Sequence, residues 1–187
     1  MSAGHDDKNN SIFKIALNLT IACLVSGLII SGVNFITADA AAQKAEELKN
    51  EAMKALVQEA ETFKPVEGKE EWFKAEKDGK TIAYVVPSES KGFEGHMRLL
   101  VAVTSDGTVL NYDIISHKET PGLGDNANKE PFKSQFIGKK VENLEVVKDP
   151  AEKNKIQAMT GATISSKAVT NAVKKAVEEV AHFTGGK

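Results

Sequence analysis

No charged residue occurs between Lys14 and Asp39. The core of that stretch, Ile15 to Ile36, is almost wholly apolar. As a helix rising about 1.5 Å per residue it crosses a hydrocarbon layer of roughly 30 Å. The pattern predicts a transmembrane helix over 15–38 behind a tail over 1–14. Asn18 and Asn34 fall near its ends, and Gly27, Ser31 and Gly32 leave room for a neighbouring helix. Apolar residues then recur at three- and four-residue intervals, at Leu48, Ala52, Leu56, Ala60 and Phe63. That period predicts a helix over 40–63, stopped by Pro65 and Gly68. A juxtamembrane helix over 39–64 is thus expected to act as a stalk that packs on the following domain.

From Trp72 onward the pattern turns to short strands. Trp72–Glu76 and Thr81–Val86 flank Asp78-Gly79, a strong hairpin signal. Met97–Thr104 and Val109–Ser116 flank Ser105-Asp106-Gly107-Thr108, a second hairpin. Residues 97–104 are nearly continuously apolar, which predicts a central strand in a sheet of about four strands. Residues 117–130 read as a loop, Pro131–Phe136 as a short helix begun by the proline, and 143–158 as a short strand with a turn at Asp149-Pro150. A helix closes the chain from about Ser165 to Phe183. Ala168 or Val169, Ala172, Ala176, Val180 and Phe183 form its buried face, and Gly185-Gly186 end it. The outer part, 65–187, is therefore expected to be one α+β domain with an antiparallel sheet and flanking helices.

Three other readings of the apolar segment are weaker, the first being a buried core helix, which the length of the segment disfavours. A cleaved signal peptide would use Ala38-Asp39-Ala40, but signal cores usually run about 7–15 residues. A lipoprotein signal ending at Cys23 would leave strongly apolar residues at the mature terminus. Lys8 and Lys14 lie on one side of the span and Lys44 and Lys49 on the other, so local charge sets orientation only weakly. A short tail in the cytoplasm with the domain exported is the simpler arrangement. Formal net charge is −2, and the basic residues form no stripe, which excludes a nucleic-acid surface. The single cysteine excludes an internal disulfide and a Cys-ligated iron–sulfur cluster, and the four histidines lack metal-site spacing. Redox chemistry on this chain would need an organic cofactor.

The chemistry-bearing stretch is Met159-Thr160-Gly161-Ala162-Thr163-Ile164-Ser165-Ser166, directly before the last helix. A helix start exposes unpaired N–H groups and the positive end of the dipole, which suits a phosphate. Gly161 and Ala162 let a phosphate approach the backbone, and Thr163 offers a hydroxyl there. On local grounds alone, threonine and serine before a helix are most often only caps, with Ser165 and Ser166 as N-cap candidates.

The stretch resembles the attachment signature of the FMN-binding domain family, Ser/Thr/Asp-Gly-Ala/Ser-Thr-x-Ser/Thr. His117-Lys118-Glu119-Thr120-Pro121-Gly122-Leu123-Gly124 resembles the same family's HxETPGLG loop. That family includes flavin-carrying subunits of the Rnf complex and of the sodium-pumping NADH:quinone reductase; length and motif spacing fit the Rnf branch. The resemblance implies FMN joined through its phosphate to Thr163 as a phosphoester. It implies a flavin transferase of the ApbE type for maturation outside the cytoplasm. It also implies membrane partners from an Rnf complex, among them a second subunit with covalent FMN. Thr160, Gly161, Ala162, Ile164 and Ser165 would then hold phosphate and ribityl. His117, Glu119, Thr120, Pro121, Gly122, Leu123 and Gly124 would face the flavin, with Glu119 or Thr120 bonding ring or ribityl atoms. One segment departs: the family often has Gly-aromatic-Gly-Gly before the central strand, whereas here Glu94 interrupts Gly92-Phe93-Glu94-Gly95. A flavin role for Phe93 is one reading of that segment; the other is that Gly92 and Gly95 simply shape the loop entering the strand.

By the resemblance the chain is an electron-transfer subunit of a complex coupling ferredoxin:NAD+ electron flow to Na+ or H+ transport, with no catalytic residue or metal of its own. Thr163 would accept the modification without taking part in redox steps. The rivals are a flavin carrier of another membrane reductase and a colourless, non-redox assembly module whose Thr163 stretch only caps a helix.

Overall fold

A computed structural model describes residues 6–149 and 151–185. It divides into two compact units, Met1–Leu48 and Lys49–Lys187. In the first, helix α1 (Asp6–Leu56) begins and carries Phe13–Ala38, one helical stretch long and apolar enough to cross a membrane. Its side chains there are exposed. Residues 1–5 of the expected tail lie outside the described residues.

The second unit is built on five antiparallel strands in sequential order: β1 (Thr62–Pro65), β2 (Phe73–Lys77), β3 (Lys80–Lys91), β4 (His96–Val103) and β5 (Val109–Ser116). Both expected hairpins form. Asp78 and Gly79 adopt φ 49° and 72°, the left-handed conformations a two-residue hairpin turn needs. β4 lies between β3 and β5, and it is apolar on both sides because both sides are covered. Met97, Leu99, Val101 and Val103 join the core beneath the C-terminal helix α2 (Thr163–Thr184). Ala102 joins Ala75, Ala83 and Val85 against Met53 and Leu56, at the end of α1. Small Ala and Val residues of α2 (Ala168, Val169, Ala172, Ala176, Val180) are almost fully buried, which seats the helix close to the sheet. Gly185, at φ 80°, ends it; Gly186 lies outside the described residues.

Four expectations are corrected. α1 ends at Leu56, not near Phe63, and Thr62–Pro65 supplies a fifth strand. The helical spacing of Leu56, Ala60 and Phe63 loses to sheet pairing, which begins at Glu61 N–H donating to the Glu76 carbonyl (2.9 Å). Pro65 is tolerated because β1 is an edge strand. Around Pro131 the helical residues are a 3-10 turn, Lys133–Phe136. Residues 143–158 contribute two short parallel strands, β6 (Val146–Val147) and β7 (Ile156–Gln157); Pro150 of the expected turn lies outside the described residues. Phe183 keeps 41% exposure, its ring instead meeting Trp72 and Tyr84 edge-on at 5.6 and 5.8 Å.

Candidate functional site

The start of α2 is shaped by Gly161, whose φ of 75° turns the chain into the helix. Ala162 is the N-cap residue, and no side chain caps this end. Ser165 and Ser166, expected as caps, lie inside the helix. The Ser166 hydroxyl donates to the Ala162 carbonyl (2.9 Å) and accepts from Met159 N–H (3.0 Å). Ser166 N–H is the first amide to bond back, to the Ala162 carbonyl at 2.9 Å. The amides of Thr163, Ile164 and Ser165 are thus free donors among the described residues, as in the first turn of any helix. The hydroxyls of Ser165, Ser166 and Thr170 are all engaged. That of Thr163 has no hydrogen bond among the described residues, and it lines a cavity.

This cavity, about 360 Å³, is walled on one side by Gly161–Ser165 and on the other by Glu119, Thr120, Leu123 and Gly124. Phe93 completes the rim. The volume lies within the usual range for small-ligand sites. Phe93, Leu123 and Ile164 remain 66%, 45% and 52% exposed, so three apolar side chains gather at one opening. Phe93 enters through the tight Gly92–Gly95 turn, closed by Gly92 N–H donating to the Gly95 carbonyl (2.7 Å).

Glu119 is 5% exposed and lies at the centre of this arrangement. Its Oε1 accepts the amides of Phe93 (2.9 Å) and Glu94 (3.2 Å). Its Oε2 accepts the Ser165 hydroxyl (2.5 Å). Thr120 donates its hydroxyl to Glu94 Oε1 (2.6 Å). Both residues expected to bond a flavin therefore have protein partners. The Glu94 that breaks the family pattern serves to hold the loop.

Of the remaining expected residues, His117, Pro121 and Gly122 sit outside the cavity on the exposed run of the same loop. His117 Nδ1 accepts Glu119 N–H (3.2 Å). Gly122, at φ 78°, donates its amide to Asp125 Oδ1 (2.6 Å). Lys129 beside Asp125 holds that carboxyl below the usual range, aided by the Gly122 amide. Thr160 faces a neighbouring cavity with Leu123, Met159 and Phe132. Phe93, whose flavin role the interrupted family segment left open, does line the cavity. The only local signal for it was an aromatic between two glycines.

Residues 92–178 match the FMN-binding domain family. The G subunit of a proton-translocating ferredoxin:NAD(+) oxidoreductase complex from Clostridium ljungdahlii is 57% identical over 97% of this chain and 98% of its own length. The G subunit of a Na(+)-translocating ferredoxin:NAD(+) oxidoreductase complex from Acetobacterium woodii is 29% identical over 89% and 90%. The crystal structure of Shewanella oneidensis NqrC shares the fold, with a TM-score of 0.53, 22% identity and coverage of 71% of this chain and 74% of that one. The chain belongs to the G-subunit family of ion-translocating ferredoxin:NAD(+) oxidoreductase complexes.

Proposed function

We propose that the chain is the FMN-bearing electron-transfer subunit of such a membrane complex, with FMN joined through a phosphoester to the Thr163 hydroxyl. The observation that carries this reading is the pairing of an uncommitted Thr163 hydroxyl with three free amides at the mouth of an apolar-rimmed cavity. The amides of Thr163, Ile164 and Ser165 suit the phosphate. Gly161 and Ala162 allow it close. Phe93, Leu123 and Ile164 suit the flat face of the ring. FMN, when bound, supplies the electron transfer. The chain holds and orients it and keeps water from one face.

The layout that fits is a cytoplasmic tail over 1–14, a membrane helix over 15–38, a connecting segment over 39–64 and an extracytoplasmic flavin domain over 65–187. A tether is then functional, because flavin lost outside the cytoplasm is not replaced from the internal pool. The partners proposed are the other Rnf subunits, including a second with covalent FMN, and a flavin transferase of the ApbE type. The named relatives differ in coupling ion, proton in one and Na(+) in the other, so the same fold serves both.

The test is coexpression with a flavin transferase followed by a denaturing gel. The wild-type band is expected to fluoresce and Thr163→Ala to be dark. A dark wild-type band, or a fluorescent variant, rejects the attachment.

A further inference from the structure

The Glu119 carboxylate joins three segments far apart in sequence. It belongs to the His117–Gly124 loop, yet its oxygens reach the Gly92–Gly95 turn and the first turn of α2. The site is shaped around it. A Cβ at Gly92 would collide with Glu119 Oε1, and one at Gly124 would lie 2.6 Å from both Glu119 Oε2 and Ser165 Oγ. Both glycines are buried, and neither has a left-handed φ, so close approach to the carboxylate is what requires them. The bonds are charge-assisted and shielded from water, the class that contributes most. Each oxygen already has a protein partner, so the carboxylate is engaged before any ligand arrives.

We propose that Glu119 is a positioning residue, a latch that fixes the wall bearing Phe93 against the wall bearing Thr163 before flavin arrives. Through Ser165 it sets the first turn of α2, where the phosphate is held. Through two amides it sets the turn that presents Phe93 to the ring. The consequence for the cofactor rests on the flavin reading of the cavity; the latch itself does not.

The experiment uses the full chain in detergent, wild type and variants, with and without transferase treatment. Hydrogen exchange at the Phe93 and Glu94 amides reports the latch without flavin. Fluorescence anisotropy of the attached flavin reports ring positioning. In Glu119→Ala the two amides are expected to exchange at least about tenfold faster, the scale of a lost charge-assisted bond. The sheet amides stay protected, and anisotropy falls toward that of a peptide-tethered flavin. Glu119→Gln restores both readouts, because its carbonyl accepts the two amides and its NH2 donates to Ser165 Oγ. Ser165→Ala lowers anisotropy while the Phe93 and Glu94 amides stay protected. Wild-type exchange at both amides in Glu119→Ala overturns the latch, as does unchanged anisotropy once they open. Should Glu119→Ala not fold, unchanged anisotropy in Ser165→Ala overturns it instead. A wild-type chain that takes up no flavin rejects the cofactor reading, and amide exchange then judges the latch alone.

Discussion

At Gly161 the backbone takes a φ of 75°, and a Cβ there would stand 3.4 Å from Leu123 Cδ2. Any L side chain at that conformation costs about 1–2 kcal/mol, and the strain falls on the residue that aims Thr163 into the cavity. Gly161→Ala is expected to fold, with a melting temperature lower by a few degrees, but to carry less attached flavin than wild type after identical transferase treatment. Equal flavin content, measured as flavin absorbance per protein, would show that the turn does not govern acceptance at Thr163. The residue scale is also where the sequence was least legible. Thr163 and Gly161 belong to one contiguous stretch and could be read together. The bonds of Glu119 reach partners 25, 26 and 46 residues away, and no local pattern announces such bonds. Ser165 and Ser166 show the converse: residue type suggested caps, but their hydroxyls are claimed by a distant carboxylate and by the chain's own preceding turn.

The β4–β5 turn shows how an element is held by its own polar residues. Asp106 accepts hydrogen bonds from the Thr104 hydroxyl and, at 2.9 Å, from that of Thr108. Lys140 lies 3.1 Å away. These partners, Thr104 foremost, bring its carboxyl down to about 2. A carboxyl lowered in the folded state binds its proton more readily once unfolded. Its contribution is therefore complete above an ordinary Asp pKa near 3.8 and is lost as pH falls through about 2. Since Asp106 and Lys140 are both half-exposed, screening reduces it to on the order of 1 kcal/mol. Wild type is expected to melt above Asp106→Asn at neutral pH, and the gap to close as pH falls across that window. A gap independent of pH would assign the turn's stability to packing. This turn, the Asp78-Gly79 hairpin and the period of α2 were legible because each depends on neighbours in sequence. The edge strand β1 was not. Its residues carry a helical spacing, and only pairing with β2 decides against it.

The whole molecule joins a membrane-type helix to a domain whose proposed cofactor is tethered, and the two features explain each other only if the domain faces outward. A noncovalent flavin in a cytoplasmic domain could be replenished, so a covalent link would add little. In an exported domain it prevents permanent loss. Local charges around Phe13–Ala38 do not fix the orientation, since lysines flank both ends. The chain's single cysteine, Cys23, lies within that segment, and with the segment in a bilayer lipid would shield it from a charged maleimide. A cysteine introduced at exposed Lys153 therefore reports the side of the domain without background. In cells with a permeabilised outer envelope and intact inner membrane, Lys153→Cys is expected to be labelled by membrane-impermeant maleimide. Labelling only after the inner membrane is broken would place the domain in the cytoplasm. The tether would then need a different reason, such as holding the flavin at a fixed reach from its redox partner.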